Sequence, residues 1–207
     1  MTLAMDLSSG IAQLGINIAP EAQQKLLNYL ALLQKWNKVY NLTAIRDPEQ
    51  MVSNHLLDSL AVVPHLWPGR WLDVGCGAGL PGVVLAIVRP DWSFTLLDSN
   101  SKKTSFVQQA SIELGLNNVD VKCERIEAWQ NAEKFDGIIS RAFAETSEFV
   151  NSTRHLLKNG GRWAAMKGLP EQELQRLPAD VKVEQIISLQ VPKLEATRCL
   201  VVLRENK

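Results

Sequence analysis

Apolar residues follow one spacing in the first third of the chain and another spacing in the remainder. After Pro20 they recur at helical spacing, which predicts one long helix. The Asp47-Pro48 sequence predicts the start of a second helix, and Pro64 is expected to close it. The stripe of the first helix consists of Leu26, Leu27, Leu30, Leu33, Trp36 and Tyr40. Residues 1–66 are therefore predicted to form a helical extension without strands.

From Trp71 onward, short apolar runs alternate with helical windows, which is typical of βαβ units in a buried parallel sheet. Two apolar runs follow one another near the end of the chain, so one antiparallel strand is expected there. A helix over 147–157 is expected to stop at Asn159-Gly160-Gly161. The predicted strands cover 71–74, 94–98, 119–123, 137–140, 163–166, 181–191 and 199–203. Residues 67–207 are predicted to form one α/β domain.

Charge and composition exclude several classes of protein. The 207 residues contain 22 Lys plus Arg and 22 Asp plus Glu, so the net charge of zero excludes a polybasic nucleic-acid binder. The three cysteines are widely spaced and the three histidines form no paired motif, so neither a disulfide framework nor a metal site is expected. Residues 1–10 do not resemble a secretory signal, and no apolar stretch could span a membrane. A cytoplasmic location is expected.

The segment from Trp71 to Gly82 carries the strongest functional signal, because a glycine-rich turn follows a predicted strand and precedes a predicted helix. Turns at this edge of an open α/β sheet bind ligands, and glycine lets the backbone approach them closely. Gly77, Gly79 and Gly82 satisfy the dinucleotide fingerprint, with Asp98 about 20 residues later. An oxidoreductase of the NAD type is therefore one interpretation of the turn.

The alternative ligand is S-adenosylmethionine, and the charges near the turn favour it. Asp73 precedes Gly75 by two residues, where a carboxylate would repel a pyrophosphate but suit a cationic sulfonium. No Lys or Arg lies between Asp73 and Val88 to hold phosphate. Asp98, at the end of the second predicted strand, would accept hydrogen bonds from both ribose hydroxyls. The antiparallel strand near the end of the chain resembles the Class I methyltransferase sheet rather than that of a dehydrogenase.

Motifs along nearly the whole chain resemble the bacterial small-subunit ribosomal RNA guanine-N7 methyltransferases, historically called glucose-inhibited division protein B. The most specific are the block from Trp36 to Thr43 and the His55-Leu56-Leu57-Asp58-Ser59 helix. Further matches are Arg46-Asp47-Pro48, the glycine turn, Leu96-Leu97-Asp98-Ser99, Ser140-Arg141-Ala142-Phe143, Met166-Lys167-Gly168 and Leu189-Gln190-Val191-Pro192. The resemblance implies a Rossmann-like Class I fold: a mostly parallel seven-stranded sheet with one antiparallel strand, helices on both faces and an N-terminal helical extension.

The resemblance also implies the reaction and its partners: methylation of N7 of a guanine in the 530 loop of 16S rRNA, with S-adenosylmethionine as methyl donor. The substrate would be 16S rRNA or the small ribosomal subunit. The cofactor-binding residues expected from the turn and from the resemblance are Gly75, Gly77, Gly79, Leu80, Asp98, Ile126, Glu127 and Arg141. A non-catalytic ribosome-assembly factor that binds RNA is the remaining alternative.

The residues after the fourth predicted strand bear on the chemistry. Amino-directed methyltransferases usually carry an N/D-P-P-Y segment where this chain has Ser140-Arg141-Ala142-Phe143. Guanine N7 has an in-plane lone pair and needs no deprotonation, so no general base is nominated. Phe143 could stack on the guanine or belong to the core, and His55 and Asp58 could shape the pocket or brace helices. Candidate RNA-binding cations at the carboxyl edge of the strands are Lys102, Lys167 and Arg198, together with Lys103, Arg141 and Lys193.

Overall fold

A computed structural model describes residues 2–141, 143 and 145–206. Ala142, which belongs to one of the sequence motifs above, lies outside the described residues. The helices are α1 (Leu3–Gln13), α2 (Pro20–Tyr40), α3 (Pro48–Met51), α4 (Asp58–Leu60), α5 (Gly82–Val88), α6 (Ser101–Glu113), α7 (Thr146–Thr153) and α8 (Glu171–Leu174). The strands are β1 (Arg70–Val74), β2 (Ser93–Asp98), β3 (Val119–Cys123), β4 (Phe135–Ser140), β5 (Leu157–Lys167), β6 (Val181–Leu189) and β7 (Arg198–Glu205).

The strands form one seven-stranded sheet in the order β3-β2-β1-β4-β5-β7-β6. β3, β2, β1, β4 and β5 pair in parallel, while β7 lies antiparallel to both β5 and β6. The predicted α/β class, the seven strands and the single antiparallel strand are therefore confirmed. Because the order reverses between β1 and β4, the turn after β1 lies at the switch point where open sheets bind ligands.

Consecutive residues of the central strands point to opposite faces, and each face packs into its own hydrophobic cluster. Leu96 and Ile139 join the cluster that holds α1, α2, α5 and α6, whereas Leu97 and Ile138 join the cluster that holds α7. Both faces of the sheet are thus covered by helices. The parallel strands are buried on both sides, which explains their continuous apolar runs in the sequence.

The helix predicted from Asp47 to Pro64 is interrupted by a π-helical turn. After α3, residues Val52–Leu57 form a π-helix, α4 follows, and a 3-10 turn at Val63–His65 ends the segment. A π turn inserts extra backbone into an α-helix and is frequent at functional sites. It carries His55, and Asp58 follows immediately after it. The spacing of apolar residues in the sequence predicted a continuous helix and gave no sign of this π-helical turn.

The predicted end of the helix after β4 is wrong in position. α7 ends at Thr153, a 3-10 turn covers Arg154–Leu156, and β5 begins at Leu157. Asn159-Gly160-Gly161 therefore lies inside a strand. There the register between β4 and β5 jumps from Phe135↔Leu157 to Gly137↔Arg162, which is a bulge in β5. Gly160 has a φ of 80°, a backbone conformation that favours glycine. This residue therefore belongs to the bulge rather than to a helix end.

The N-terminal helices share their core with the sheet. Leu7, Leu26 and Leu33 belong to the same hydrophobic cluster as Val83 and Phe94. The hydroxyl of Tyr29 donates a hydrogen bond of 2.6 Å to the carbonyl of Ala78 in the glycine-rich turn. The division of the chain after residue 66 stays a prediction, and α2 is a direct support of the turn rather than an appendage.

We expect Tyr29→Phe to lower the free energy of unfolding by about 1–3 kcal/mol, because the buried carbonyl of Ala78 would lose its partner. Urea denaturation followed by circular dichroism measures the change. Tyr40→Phe is the matched control, since Tyr40 is 43% exposed. Equal losses in both variants would contradict the structural role of the Tyr29 hydroxyl.

Candidate active site at the carboxyl edge of the sheet

The glycine-rich turn between β1 and α5 uses a left-handed backbone at three glycines, with φ of 68° at Gly75, 57° at Gly77 and 90° at Gly79. The backbone N–H groups of Gly75 and Cys76 both donate to the carbonyl of Leu97, which fixes the turn over the end of β2. A Cβ at Gly77 would meet nothing closer than 4.0 Å, so its backbone borders open space. A Cβ at Gly79 would lie 2.5 Å from Val83, so Gly79 serves packing.

Asp73 lies beneath this turn rather than on its surface. Its side chain is fully buried, and one oxygen accepts a 2.8 Å hydrogen bond from the N–H of Gly82 at the start of α5. The other oxygen is buried without a partner among the described residues. Burial raises the pKa of Asp73 to about 7, against the lowering effects of the Gly82 hydrogen bond and Arg141. The carboxyl is therefore enclosed beneath the turn and supports it from inside.

Asp98 connects the turn to the next loop. At the end of β2, one carboxylate oxygen accepts a 2.9 Å hydrogen bond from Gly77 N–H, and the other accepts a 2.8 Å bond from Asn100 N–H. Asn100 caps α6 with its own side chain, so Asp98 is not the capping residue. Asp98 also faces a cavity of about 250 Å³, whose lining includes Val74, Gly75, Leu97, Ser99, Glu124, Arg125, Ile126, Glu127 and Phe143.

The structure brings together part of the predicted cofactor-binding set. Gly75, Asp98, Ile126 and Glu127 line this smaller cavity. Gly77 is linked to it through its hydrogen bond to Asp98. Gly79 and Leu80 are instead buried residues of the turn itself. Arg141 lines a second cavity next to the first.

This second cavity has a volume of about 450 Å³ and lies between the π-helical segment and the carboxyl ends of β4 and β5. Among its lining residues, Phe143 also lines the smaller cavity, so the two cavities adjoin there. The Phe143 ring packs 5.5 Å from that of Phe149, which fixes it between the two spaces. The lining consists of Ile45, Asn54, His55, Asp58, Arg141, Phe143, Met166, Lys167, Gly168, Glu173 and Arg198.

A buried carboxylate organises the cations of the larger cavity. Asp58 is 1% exposed, and its two oxygens accept hydrogen bonds from Arg141 at 3.3 Å and from Arg198 at 3.1 Å. Arg141 also donates to the carbonyl of Asn54. Both guanidinium groups keep part of their surface exposed, with 26% and 30% of each side chain accessible. Residues of the His55–Ser59 motif thus both brace the cavity wall and line the cavity.

The residues of the predicted basic rim have different surroundings in the structure. Arg141, Lys167 and Arg198 line the larger cavity, whereas Lys102 and Lys103 lie at the start of α6. Lys167 is half-buried and donates to the carbonyl of Phe143 and to the Glu173 carboxylate. Outside this cavity, Lys193 pairs with the buried Asp6 at 2.7 Å. Most of these cations are therefore partly neutralised by a neighbouring acid, a feature that sequence position alone could not show.

His55 contributes a neutral ring to the cavity wall. Its Nε2 lies 3.0 Å from the Thr43 hydroxyl, and its Nδ1 is buried without a partner among the described residues. Burial, reinforced by the charge of Arg141, lowers the pKa of His55 to about 4. The imidazole is consequently uncharged at neutral pH and adds no positive charge to the site.

Comparison with known proteins decides the family. The GidB family model, described as rRNA small subunit methyltransferase G, matches residues 22–201. The chain belongs to this family. A ribosomal RNA small subunit methyltransferase G from Laribacter hongkongensis is 53% identical over 98% of this chain and 99% of its own length. Another from Neisseria meningitidis serogroup B is 54% identical over 97% of each chain.

Solved structures with low sequence identity support the fold. The N-methyltransferase NodS from Bradyrhizobium japonicum, solved with S-adenosyl-L-homocysteine, has a TM-score of 0.58 at 13% identity, covering 84% of this chain and all of its own. A SAM-dependent methyltransferase from Aquifex aeolicus also scores 0.58, at 18% identity, covering 79% and 96% of the two chains. The Class I methyltransferase fold predicted from the sequence is confirmed, and this GidB-family chain is a methyltransferase rather than an oxidoreductase.

Within the described part of the chain, no cluster of His, Cys, Asp and Glu could hold a metal ion. None of the helices in residues 2–141 and 145–206 has the length and apolar character needed to cross a membrane.

The buried carboxyl of Asp73 predicts a specific pH dependence. Its pKa is 3.8 in the unfolded reference and about 7 when folded, so the folded protein binds more protons between these values. The contribution of this group to stability therefore falls as pH rises from about 4 to 7 and is constant above that. Asp73→Asn should gain stability relative to the unmodified protein across this window, by at most about 4 kcal/mol.

Urea denaturation at a series of pH values measures the difference in unfolding free energy between the two proteins. Asp120→Asn is the control, since it makes the same substitution at an exposed carboxylate on β3. The raised pKa of Asp73 would be contradicted if the difference in unfolding free energy between Asp73→Asn and the unmodified protein were the same at every pH.

Proposed function

We propose that this protein transfers a methyl group from S-adenosylmethionine to N7 of a guanine in the 530 loop of 16S rRNA, in the cytoplasm. Family membership supports a small-subunit rRNA substrate, because curated relatives that match over nearly the whole chain carry the name of that activity. The structural observation that carries the proposal is the pair of adjoining cavities at the carboxyl edge of the sheet, which meet at Phe143.

The smaller cavity fits the cofactor. Asp98 faces it with carboxylate oxygens that each accept one backbone N–H, which leaves lone pairs for ribose hydroxyls. Gly75 lets the backbone approach a ligand, and Ile126 and Glu127, which also line the cavity, would contact the adenine. When bound, S-adenosylmethionine supplies an electrophilic methyl group on a sulfonium. The protein's part is to hold that group toward the larger cavity.

The larger cavity fits a nucleotide of the RNA. Arg141, Lys167 and Arg198 carry three positive charges, whereas Asp58 and Glu173 carry two negative charges and His55 is neutral. One net positive charge and partly exposed guanidinium groups suit a phosphodiester-linked base. Phe143, at the junction with the smaller cavity, is placed to stack on a base turned out of its strand.

The state of the carboxylates is consistent with N7 as the acceptor. Asp58 is bound by Arg141 and Arg198, and Glu173 is bound by Lys167 and the Thr146 hydroxyl. Neither lining carboxylate is set up as a general base. Guanine N7 reacts through its lone pair without losing a proton, so holding it near the methyl group and in line with the sulfur is the main requirement.

Asp98→Ala should weaken binding of S-adenosylhomocysteine at least tenfold, because the two ribose hydrogen bonds would be lost and the turn at Gly77 would lose its anchor. Isothermal titration calorimetry measures the dissociation constant, and circular dichroism checks that the variant is folded. Asp120→Ala, which removes an exposed carboxylate from β3, should bind as the unmodified protein does. Unchanged affinity in Asp98→Ala would remove Asp98 from the cofactor site.

The proposed reaction is tested by incubating the protein with labelled S-adenosylmethionine and small-subunit RNA, either free or in the assembled particle. We expect label in RNA, and strand cleavage specific for N7-methylguanine should map it to one guanine of the 530 loop. Label on another atom or another guanine would contradict the N7 assignment. RNA binding without any methyl transfer would instead favour a non-catalytic assembly factor.

A further inference from the structure

A third cavity lies outside the site described above, between the end of α2 and the start of α3. Its volume is about 410 Å³, close to that of the proposed substrate cavity. The residues that line it come from α2, from the loop after it and from α3: Gln34, Asn37, Lys38, Arg46, Pro48 and Met51. Nothing in the proposed reaction uses this space.

The side chains of this α2–α3 cavity offer positive charge and hydrogen-bond donors. Lys38 and Arg46 are exposed, and no ion pair within the described residues involves either of them. Arg46 donates to the Asn41 side chain at 2.7 Å and keeps further N–H groups. The amide nitrogen of Gln34 is buried without a partner among the described residues. An unpaired buried N–H is unfavourable, so an acceptor is expected there.

The acids nearest in the chain, Asp47 and Glu49, are not among the residues that line the cavity. No carboxylate lines it. Asp47 follows Arg46 in the chain, but its side chain accepts a 2.9 Å hydrogen bond from the N–H of Glu49 and caps α3. Lys38 and Arg46 thus face the cavity as cations without a facing carboxylate. Cations and donors without acidic neighbours are the chemistry that binds a phosphate group.

The α2–α3 cavity is a neighbour of the proposed substrate cavity. Ile45 lines the substrate cavity and the next residue, Arg46, lines the α2–α3 cavity, so the loop between α2 and α3 forms a wall shared by both. On the following segment, Met51 lines the α2–α3 cavity and Asn54 lines the substrate cavity. A strand whose base entered the proposed substrate cavity would therefore run next to the α2–α3 cavity.

The position of the cavity favours RNA as the source of that phosphate. Only the loop between α2 and α3 separates it from the proposed substrate cavity, so one strand that crosses this loop can contact both. A site for free phosphate alone would not need to adjoin the substrate cavity.

We propose that the α2–α3 cavity binds a backbone phosphate of the substrate RNA next to the target nucleotide, held by Lys38, Arg46 and the Gln34 amide. This inference rests on the proposed function. It assigns to the N-terminal helices a direct contact with substrate, separate from the residues around the methyl-transfer site.

The test compares the double variant Lys38→Gln/Arg46→Gln with the charge-matched control Lys25→Gln/Lys182→Gln, whose lysines lie outside the cavity. Binding of 530-loop RNA is measured by fluorescence anisotropy over a range of salt concentrations. Loss of two phosphate contacts should weaken binding at low salt about tenfold and reduce the slope of log affinity against log salt by about 1.4. The control should bind as the unmodified protein does, and calorimetry should show unchanged S-adenosylhomocysteine binding in both variants.

A second pair of variants tests the buried amide. Gln34→Glu places a negative charge where the phosphate would lie, whereas Gln34→Met has a similar shape and no charge. RNA binding should weaken strongly in Gln34→Glu and only modestly in Gln34→Met. Equal effects of the two substitutions would show that no anion occupies the cavity, and cofactor binding confirms that each variant is folded.

Three further outcomes would overturn the proposal. The double variant could retain the affinity and salt slope of the control. Inorganic phosphate could shift the NMR signals of Arg46 while RNA affinity stays unchanged in the double variant, which would indicate a site for free anions. Only binding to the assembled particle could be weakened, which would indicate a ribosomal protein as the partner. These measurements involve no methyl transfer, so they are distinct from failure of the proposed reaction.

Discussion

The buried carboxylate of Asp58 is the contact on which the architecture of the candidate active site depends. It joins the segment after the π-helical turn to Arg141 at the end of β4 and to Arg198 at the start of β7. Because Asp58 is buried, its negative charge depends on these two arginines for compensation. Through this contact, segments far apart in the chain form one wall of the larger cavity.

The N-terminal helices and the sheet consequently act as one structural unit. Tyr29 supports the glycine-rich turn from α2, and Lys193 in the loop before β7 pairs with Asp6 on α1. Apolar residues of α1 and α2 complete the core on one face of the sheet. The same helices line the α2–α3 cavity, so one part of the chain both supports the glycine-rich turn and carries that cavity.

Two aspartates of similar local sequence have different roles because their surroundings differ. Asp73 and Asp98 each lie at or near the end of a central strand and each accept a hydrogen bond from the glycine-rich turn. Asp73 is fully enclosed, which raises its pKa, and it supports the turn from within. Asp98 retains access to a cavity and can face a ligand. The same residue type thus supports the turn at one position and faces a cavity at the other.

Local pattern in the sequence determined the alternation of strands and helices, the antiparallel strand and the glycine-rich turn, since each depends on residues close together in the chain. Motifs spread along the chain also indicated the family. Tertiary structure alone decided the π-helical turn, the bulge at Gly160, the enclosure of Asp73 and the pairing of Lys167 with Glu173. These features depend on which distant segments of the chain pack together. Burial and ion pairing are set by those contacts and cannot be deduced from the residue types alone.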